Sequence, residues 1–436
     1  MVGSRRNPKR KATEVASVAA AIAEESKSPN KLLCEALAPI TKDEVQEWEG
    51  WCEVESEPAF FNAMLREMGV KDIKVQEVFS VEEDYVATLP QPVYGFIFLY
   101  QYFSEAYEDD EVVDSRDLWF ANQTVDNACA TLALTNILMN SSDIDLGANL
   151  QDFKDSTMHL STPLRGHALS SNTFIRSVHN SFTRRMDHLN ADLFLEGEAL
   201  QSKKKKRRGP AKKTRRAKKQ KVDSDSGFHF IAYVPANGSV WELDGLKTRP
   251  VCLGSLEDGV HWTSLVRPEI QARMLQFEEN ALSFNLLALC KSPLSGIANN
   301  LARTVRSFEL LGDRTKDLDG WKDLVAGNEQ PLTGEDEAHL SEFGIQKSDI
   351  RRAQVDPKFE RKVNNHSMEL MELYELYGDL TREQKSLMGE YNAEKNCMKE
   401  EENRVEGRKK DHTPAIHRWV QKLAEHGVLA DWTTSL

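Results

Sequence analysis

"QTVDNACATLALTNIL", residues 123–138, sets a lone cysteine at the point where a polar stretch gives way to an apolar helix. Gln123, Asp126 and Asn127 precede Cys129, and "ATLALTNIL" continues at helical spacing. A thiol with an ordinary pKa of about 8.5 is mostly protonated at neutral pH. The first turn of a helix offers unpaired N–H groups and a positive potential, and both favour the thiolate. Ala128 and Ala130 leave room for a substrate carbonyl. Two readings follow, an activated nucleophile or a buried structural cysteine.

A second stretch bears on the choice. "FHFIAYVPANGSVWELDGL" (228–246) alternates with period two on either side of Asn237-Gly238, the signature of a hairpin with a type I′ turn. With Ala236 opposite Ser239, His229 falls opposite Leu246, and Asp244 is its diagonal neighbour on the same face. A slip of one residue would separate them. A base oriented by a carboxylate is the second half of a Cys-His-Asp triad; the plainer alternative is a strand histidine near a turn aspartate. Acyl transfer also needs donors for a developing oxyanion. Gln123, six residues before Cys129, and the Cys129 backbone N–H are the candidates.

Gln123, Asn127, Cys129 and Thr131 fit the pattern Gln-x-x-x-Asn-x-Cys-x-Thr, and in this the chain resembles the ubiquitin carboxyl-terminal hydrolases, papain-like cysteine peptidases. "WCEVESEPAFF", "PVYGFIFLY", "HNSF", "FHFIAYVP", "ELDGL" and "LSFNLLAL" resemble that family too, in the same order over residues 50–292 apart from a basic insert at 203–221. The resemblance implies an α+β papain-like domain, a central β-sheet flanked by helices, followed by a helical tail. It implies Cys129 as nucleophile, His229 as general base and acid, Asp244 as its orienter and Gln123 as oxyanion donor. The implied activity is hydrolysis of the bond after the C-terminal glycine of ubiquitin, in ubiquitin-dependent protein catabolism. No cofactor and no metal are implied. The likeness extends to a crossover loop over the active site, placed at roughly 144–172, where His159 and His167 read as solvated.

More narrowly, the chain resembles the long, tailed branch of the proteasome- and chromatin-associated type. "HRWVQKLAEHGVLADW" (417–432) is similar to its C-terminal helical module. That implies an adaptor partner for the tail, although the Lys-rich extension of that branch has no counterpart here.

Residues 1–47 are rich in Ser, Lys, Ala and Glu and read as disordered. The catalytic domain spans 48–292. Phe60, Phe61, Met64, Leu65 and Met68 mark an amphipathic helix, and "PVYGFIFLYQYF" a buried strand. "YEDDEVVD" (107–114) reads as an acidic loop, and Ser171 or Asn172 as the N-cap of a helix. Residues 293–355 are polar and read as a linker. Over 356–404, Leu370, Leu373, Tyr377, Leu380, Leu387 and Tyr391, with Gln384 in one seat, predict a long helix or coiled coil. Such a stripe serves docking on the chain's own domain or on a partner. Residues 408–436 form the last helical module, with Pro414 near its start and Gly427 near its end.

The charges are unevenly spread over the 436 residues. Thirteen of the 56 Lys and Arg lie between Lys203 and Lys221, which leaves 43 basic against 69 acidic residues elsewhere, a balance of −26. This basic, low-complexity insert reads as a nuclear import signal, with phosphate-backbone binding to nucleic acid as the alternative. It lacks aromatics for base stacking. Six cysteines, Cys34, Cys52, Cys129, Cys252, Cys290 and Cys397, show no C-x-x-C spacing, which argues against a zinc cluster and a disulfide framework. No apolar run approaches the length of a membrane span. Nucleus and cytoplasm are the expected locations. A scaffold with an idle site, binding ubiquitin and acting through insert and tail, is the alternative to the enzyme.

Overall fold

The structure, a computed structural model, describes residues 29–101, 115, 117–207, 227–279, 283–327 and 330–428. These fall into two compact units, one drawn from residues 1–52, 180–212 and 408–436, the other from 53–179 and 213–407.

The second unit is built on a six-stranded antiparallel sheet, β1 (Ile73–Glu77), β2 (Val93–Gln101), β3 (Phe228–Ala236), β4 (Ser239–Leu243), β5 (Val251–Ser255) and β6 (Phe284–Lys291), in the order β1-β6-β2-β3-β4-β5. Its helices include α1 (Pro58–Met68), α2 (Cys129–Asn140), α3 (Gly147–Thr157), α4 (Thr162–Ser171), α5 (Thr173–His179), α6 (Thr263–Glu279), α7 (Pro293–Thr315) and α8 (Leu370–Lys409). Central β2 carries the most continuous apolar run because both of its faces are covered. Phe96 and Phe98 join Ile231, Tyr233, Leu286 and Ala288 in one core, closed by Trp262, Val266, Ile270 and Phe277 around α6. On the other pleat face Gly95 leaves space for α2, since a Cβ there would sit 2.8 Å from the Ile137 side chain.

Helix α2 is buried from Cys129 through Met139 on every side, which is why its sequence shows no polar face. Leu132, Leu134, Ile137 and Leu138 each contribute roughly 1.5–3 kcal/mol on burial. The hairpin has the expected register. Asn237 and Gly238 both take positive φ (52° and 73°), and Ala236 pairs with Ser239. Asn172 caps α5 by accepting from the Ile175 N–H at 3.0 Å.

Three expectations need correction. Residues 144–172 are not a loop: α3 and α4 fill most of the stretch and bury Leu150, Phe153, Arg165 and Leu169. Their polar exposed faces gave the sequence its loop-like texture, and His159 and His167 are solvent-exposed as expected. Residues 293–355 are not a linker. α7 spans 23 residues and buries Leu301, Ala302 and Val305 with Leu332, Leu340, Phe343, Ile345 and Ile350. Within 1–47, helices run over Pro29–Ala36 and Lys42–Glu47, the latter opened by a reciprocal Thr41–Glu44 capping box.

The stripe on α8 docks within its own unit. Tyr391 packs in the α7 cluster, and Leu373 and Leu376 pack with Leu311, Trp321 and Val363. Gln384, 2% exposed, accepts from the Leu332 N–H at 2.7 Å and donates to Thr304 Oγ1 at 3.1 Å. A polar residue occupies that seat because it satisfies a buried backbone group.

In the first unit, Arg185 opens a helix reaching Arg207 and pairs with Glu44 at 2.9 Å, while Trp48 stacks on His188 at 4.0 Å. The basic insert enters the end of this helix at 203–207; its remainder, like the acidic stretch 107–114, lies outside the described residues.

Candidate active site

Cys129 is the first residue of α2, and no side chain caps that helix start. Its N–H groups and dipole therefore act on the thiol. The turn before it requires Asn127 at φ 61°, a left-handed conformation that asparagine tolerates better than most residues. One turn into the helix, Thr131 Oγ1 meets His179 Nδ1 at 2.7 Å, with both residues fully buried. Two residues of the motif thus shape the nucleophile's platform.

His229 lies near the start of β3, 3% exposed. Its Nε2 is 2.7 Å from Asp244 Oδ1, and that oxygen also accepts the Leu246 N–H at 2.9 Å. With Nε2 held by the carboxylate, the ring has the Cys129 side chain as a second hydrogen-bond partner. Burial opposes a charge on the imidazole, but the hydrogen bonds and charges of Asp244 and Cys129 outweigh it and raise the pKa to about 9. Burial likewise disfavours the Asp244 carboxylate, yet the His229 hydrogen bond and charge hold its pKa below the usual value. The two shifts describe one buried ion pair, poised to keep an imidazolium beside the thiol. Tyr100, opposite His229 in the sheet, stands edge-on to the imidazole at 5.8 Å and completes its wall.

Gln123 is brought to the site by the chain end that follows β4. Its N–H donates to the Gly245 carbonyl at 2.9 Å, immediately after Asp244. A Cβ on Gly245 would fall 2.2 Å from Leu132 of α2 and 3.1 Å from the Gln123 nitrogen. Glycine lets the oxyanion segment, the carboxylate and the nucleophile helix meet. All four residues singled out in the sequence, Gln123, Cys129, His229 and Asp244, thus belong to one neighbourhood of the second unit.

Other cysteines are differently placed. Cys52, 1% exposed, has its thiol pushed up to about 12 by burial and the Asp187 charge, and Cys290 reaches about 12 by burial. Sequence reasoning missed Arg165, Tyr100 and His179 as residues around the site. A buried arginine reads like a solvated one when a strand or helix partner is unknown, and only the "HNSF" stretch signalled His179.

A thiol, an imidazole and a carboxylate in sequence, with a glutamine beside them, are the groups that cysteine-based acyl transfer or hydrolysis requires. The family model of ubiquitin carboxyl-terminal hydrolase, family 1, matches residues 51–275. Ubiquitin carboxyl-terminal hydrolase isozyme L5 of Dictyostelium discoideum is 36% identical over 248 residues, 57% of this chain and 64% of its own length. The chain therefore spans just under two thirds of that relative. Ubiquitin carboxyl-terminal hydrolase ubh-4 of Caenorhabditis elegans is 35% identical over 269 residues, 60% of this chain and 74% of the relative. A crystal structure of Trichinella spiralis UCH37 bound to ubiquitin vinyl methyl ester is similar at 27% identity and a TM-score of 0.44, over 67% of this chain and 99% of that one. The chain belongs to ubiquitin carboxyl-terminal hydrolase family 1.

Proposed function

We propose that this chain hydrolyses the bond after the C-terminal glycine of ubiquitin, with Cys129 as nucleophile, His229 as base and acid, Asp244 as its orienter and Gln123 as oxyanion donor. The observation that carries the reading is the buried His229–Asp244 contact of 2.7 Å, with Cys129, at an uncapped helix start, as the ring's further hydrogen-bond partner. The thiolate attacks the glycine carbonyl, and the oxygen gains charge as the carbon becomes tetrahedral. The Gln123 amide and the Cys129 N–H take that charge. Collapse breaks the bond to the leaving amine, which receives its proton from His229 and leaves a thioester on Cys129. Water, deprotonated by His229, then attacks the thioester and restores the thiol. Asp244 keeps the ring aligned throughout and offsets its positive charge.

An idle scaffold would have no need of a desolvated imidazolium–carboxylate pair aimed at a thiol, so the enzyme is favoured. In steady-state hydrolysis of a ubiquitin C-terminal fluorogenic amide, Cys129→Ala is expected to abolish turnover while ubiquitin binding persists. Residual activity above a tenth of wild type would overturn the assignment.

The insert at 203–221 serves nuclear import in this reading, and the C-terminal module binds an adaptor. Ile416, Trp419 and Val420, exposed on one side of the helix Thr413–Glu425, support the second point.

A further inference from the structure

The chain that carries Gln123 belongs to no strand, so its backbone groups must find partners elsewhere. They find side chains on two helices. From α2, Asn140 accepts the Trp119 N–H at 2.9 Å and donates to the Trp119 carbonyl at 2.7 Å, and Asn136 accepts the Ala121 N–H at 3.3 Å. The carbonyls of the neighbouring residues Leu118 and Phe120 go instead to Arg165 of α4. The Arg165 guanidinium, on a residue 5% exposed, donates to Leu118 O at 2.9 Å and Phe120 O at 3.4 Å. It also donates to Thr157 O at 3.2 Å and Met158 O at 2.5 Å, which ties it to the end of α3. A buried cation thus bridges the α3–α4 corner and the strip leading to the oxyanion donor.

The next residue, Gly166, brings α4 against the strip itself. A Cβ there would lie 1.8 Å from the Asn122 carbonyl oxygen. Asn122 N–H donates to Thr162 O at 3.1 Å, and Thr124 Oγ1 donates to Ser170 Oγ at 3.1 Å. Gln123 is therefore held between Gly166 on one side and Gly245 on the other. Its Oε1 is buried and accepts no hydrogen bond among the described residues, so on that side the amide's place is fixed by the main chain carrying it.

We propose that Arg165 is a positioning residue for the oxyanion donor: by holding the Leu118 and Phe120 carbonyls it sets where Gln123 lies, and α4 thereby controls kcat. This rests on Gln123 acting as that donor. The alternative is a structural arginine whose loss lowers stability without a specific effect on turnover.

A double-mutant cycle on the full chain separates the two. With the fluorogenic ubiquitin amide, Arg165→Met is expected to lower kcat by roughly ten- to a hundredfold, part of the 10²–10³ expected for losing one oxyanion donor. KM stays within about threefold, the ground-state carbonyl needing the hole less than the transition state does. Alkylation of Cys129 by iodoacetamide, which uses the thiolate but no oxyanion, stays within about twofold. Arg165→Lys keeps the charge but loses the planar fork, and is expected to fall between wild type and Arg165→Met. Gln123→Ala combined with Arg165→Met should have a kcat within about threefold of Gln123→Ala alone. Multiplied losses in the double variant, or a lowered melting temperature with unchanged kcat, would overturn the proposal. Should Arg165→Met not fold, Arg165→Lys, which keeps a cation in the same cavity, carries the same cycle. If Gln123→Ala itself leaves kcat unchanged, the oxyanion reading fails together with the proposal; if it lowers kcat and the losses multiply, the proposal alone fails.

Discussion

Cys129 and Cys290 are both buried in the same α+β unit, 8% and 0% exposed, yet their surroundings differ in kind. Cys290 lies on β6 between β1 and β2, in an apolar core that includes Val93 and Ala288, and burial pushes its thiol up to about 12. Cys129 lies at a helix start with His229 as hydrogen-bond partner and Asp244 behind the ring. Burial alone raises the Cys290 thiol, whereas Cys129 has unpaired helix N–H groups and the His229 ring beside its sulfur. The difference teaches that reactivity is conferred by the partner elements, and the variants below remove those partners one at a time.

The largest effect expected is for Cys129→Ala, with turnover lower by on the order of 10⁴ or more. Cys290→Ala should leave kcat within about twofold and lower stability by roughly 1–2 kcal/mol through the void it leaves. Parallel rate measurements and denaturant melts check the pair. Equal losses of activity in both would erase the contrast between the two thiols.

Asp244→Asn comes next, with a rate lower by roughly 10²–10⁴, because the ring loses its orienter and its counter-charge. The His229 pKa is raised to about 9, so activity that depends on the imidazolium is lost as pH rises through about 9. Without the Asp244 carboxylate that alkaline limb should move to lower pH, and a limb that stays in place would detach Asp244 from His229. The stability contributed by the His229 charge has the same sign. It is fully present below the unfolded value of about 6.5 and is lost as pH rises through about 9. Asp244, whose pKa is lowered, contributes stability that is lost as pH falls through its folded value.

The smallest effect expected is for deleting Lys203–Lys221. Hydrolysis of a small ubiquitin adduct should stay within about twofold, since loop-closure free energy varies only with the logarithm of length. The same deletion should move a fluorescently tagged chain from nucleus to cytoplasm. A chain that stays nuclear but loses salt-sensitive affinity for DNA or RNA would favour phosphate binding. A steep loss of catalysis would mean that the segment before β3 is part of the site.

The His229–Asp244 contact and the helix start at Cys129 were legible in the sequence because their constraints are local. The Asn237-Gly238 turn sets a register that places Asp244 beside His229, and a helix start marks Cys129. Four of the six strands were legible for the same reason, through the period-two runs of β3 and β4 and the apolar runs of β2 and β6, whereas the short edge strands β1 and β5 were not. Less was readable where a residue's meaning depends on a distant partner. Arg165 looks like a surface charge until Leu118 and Phe120, 47 and 45 residues away, present their carbonyls. α3 and α4 passed for a loop because each buries only a narrow stripe, and α7 passed for a linker because its apolar residues are spaced among Asn, Arg and Ser.

The central claim, that Cys129 is the thiol the His229–Asp244 pair activates, is tested most directly by mapping where a C-terminal electrophile on ubiquitin attaches. The full chain is treated with the probe, digested, and the modified cysteine identified by mass spectrometry, alongside His229→Ala. The expected result is a single adduct on Cys129 that forms at least about tenfold more slowly in His229→Ala, in keeping with the usual worth of a general base. An adduct on Cys52 or Cys290, or labelling of Cys129 at an undiminished rate without His229, would contradict it.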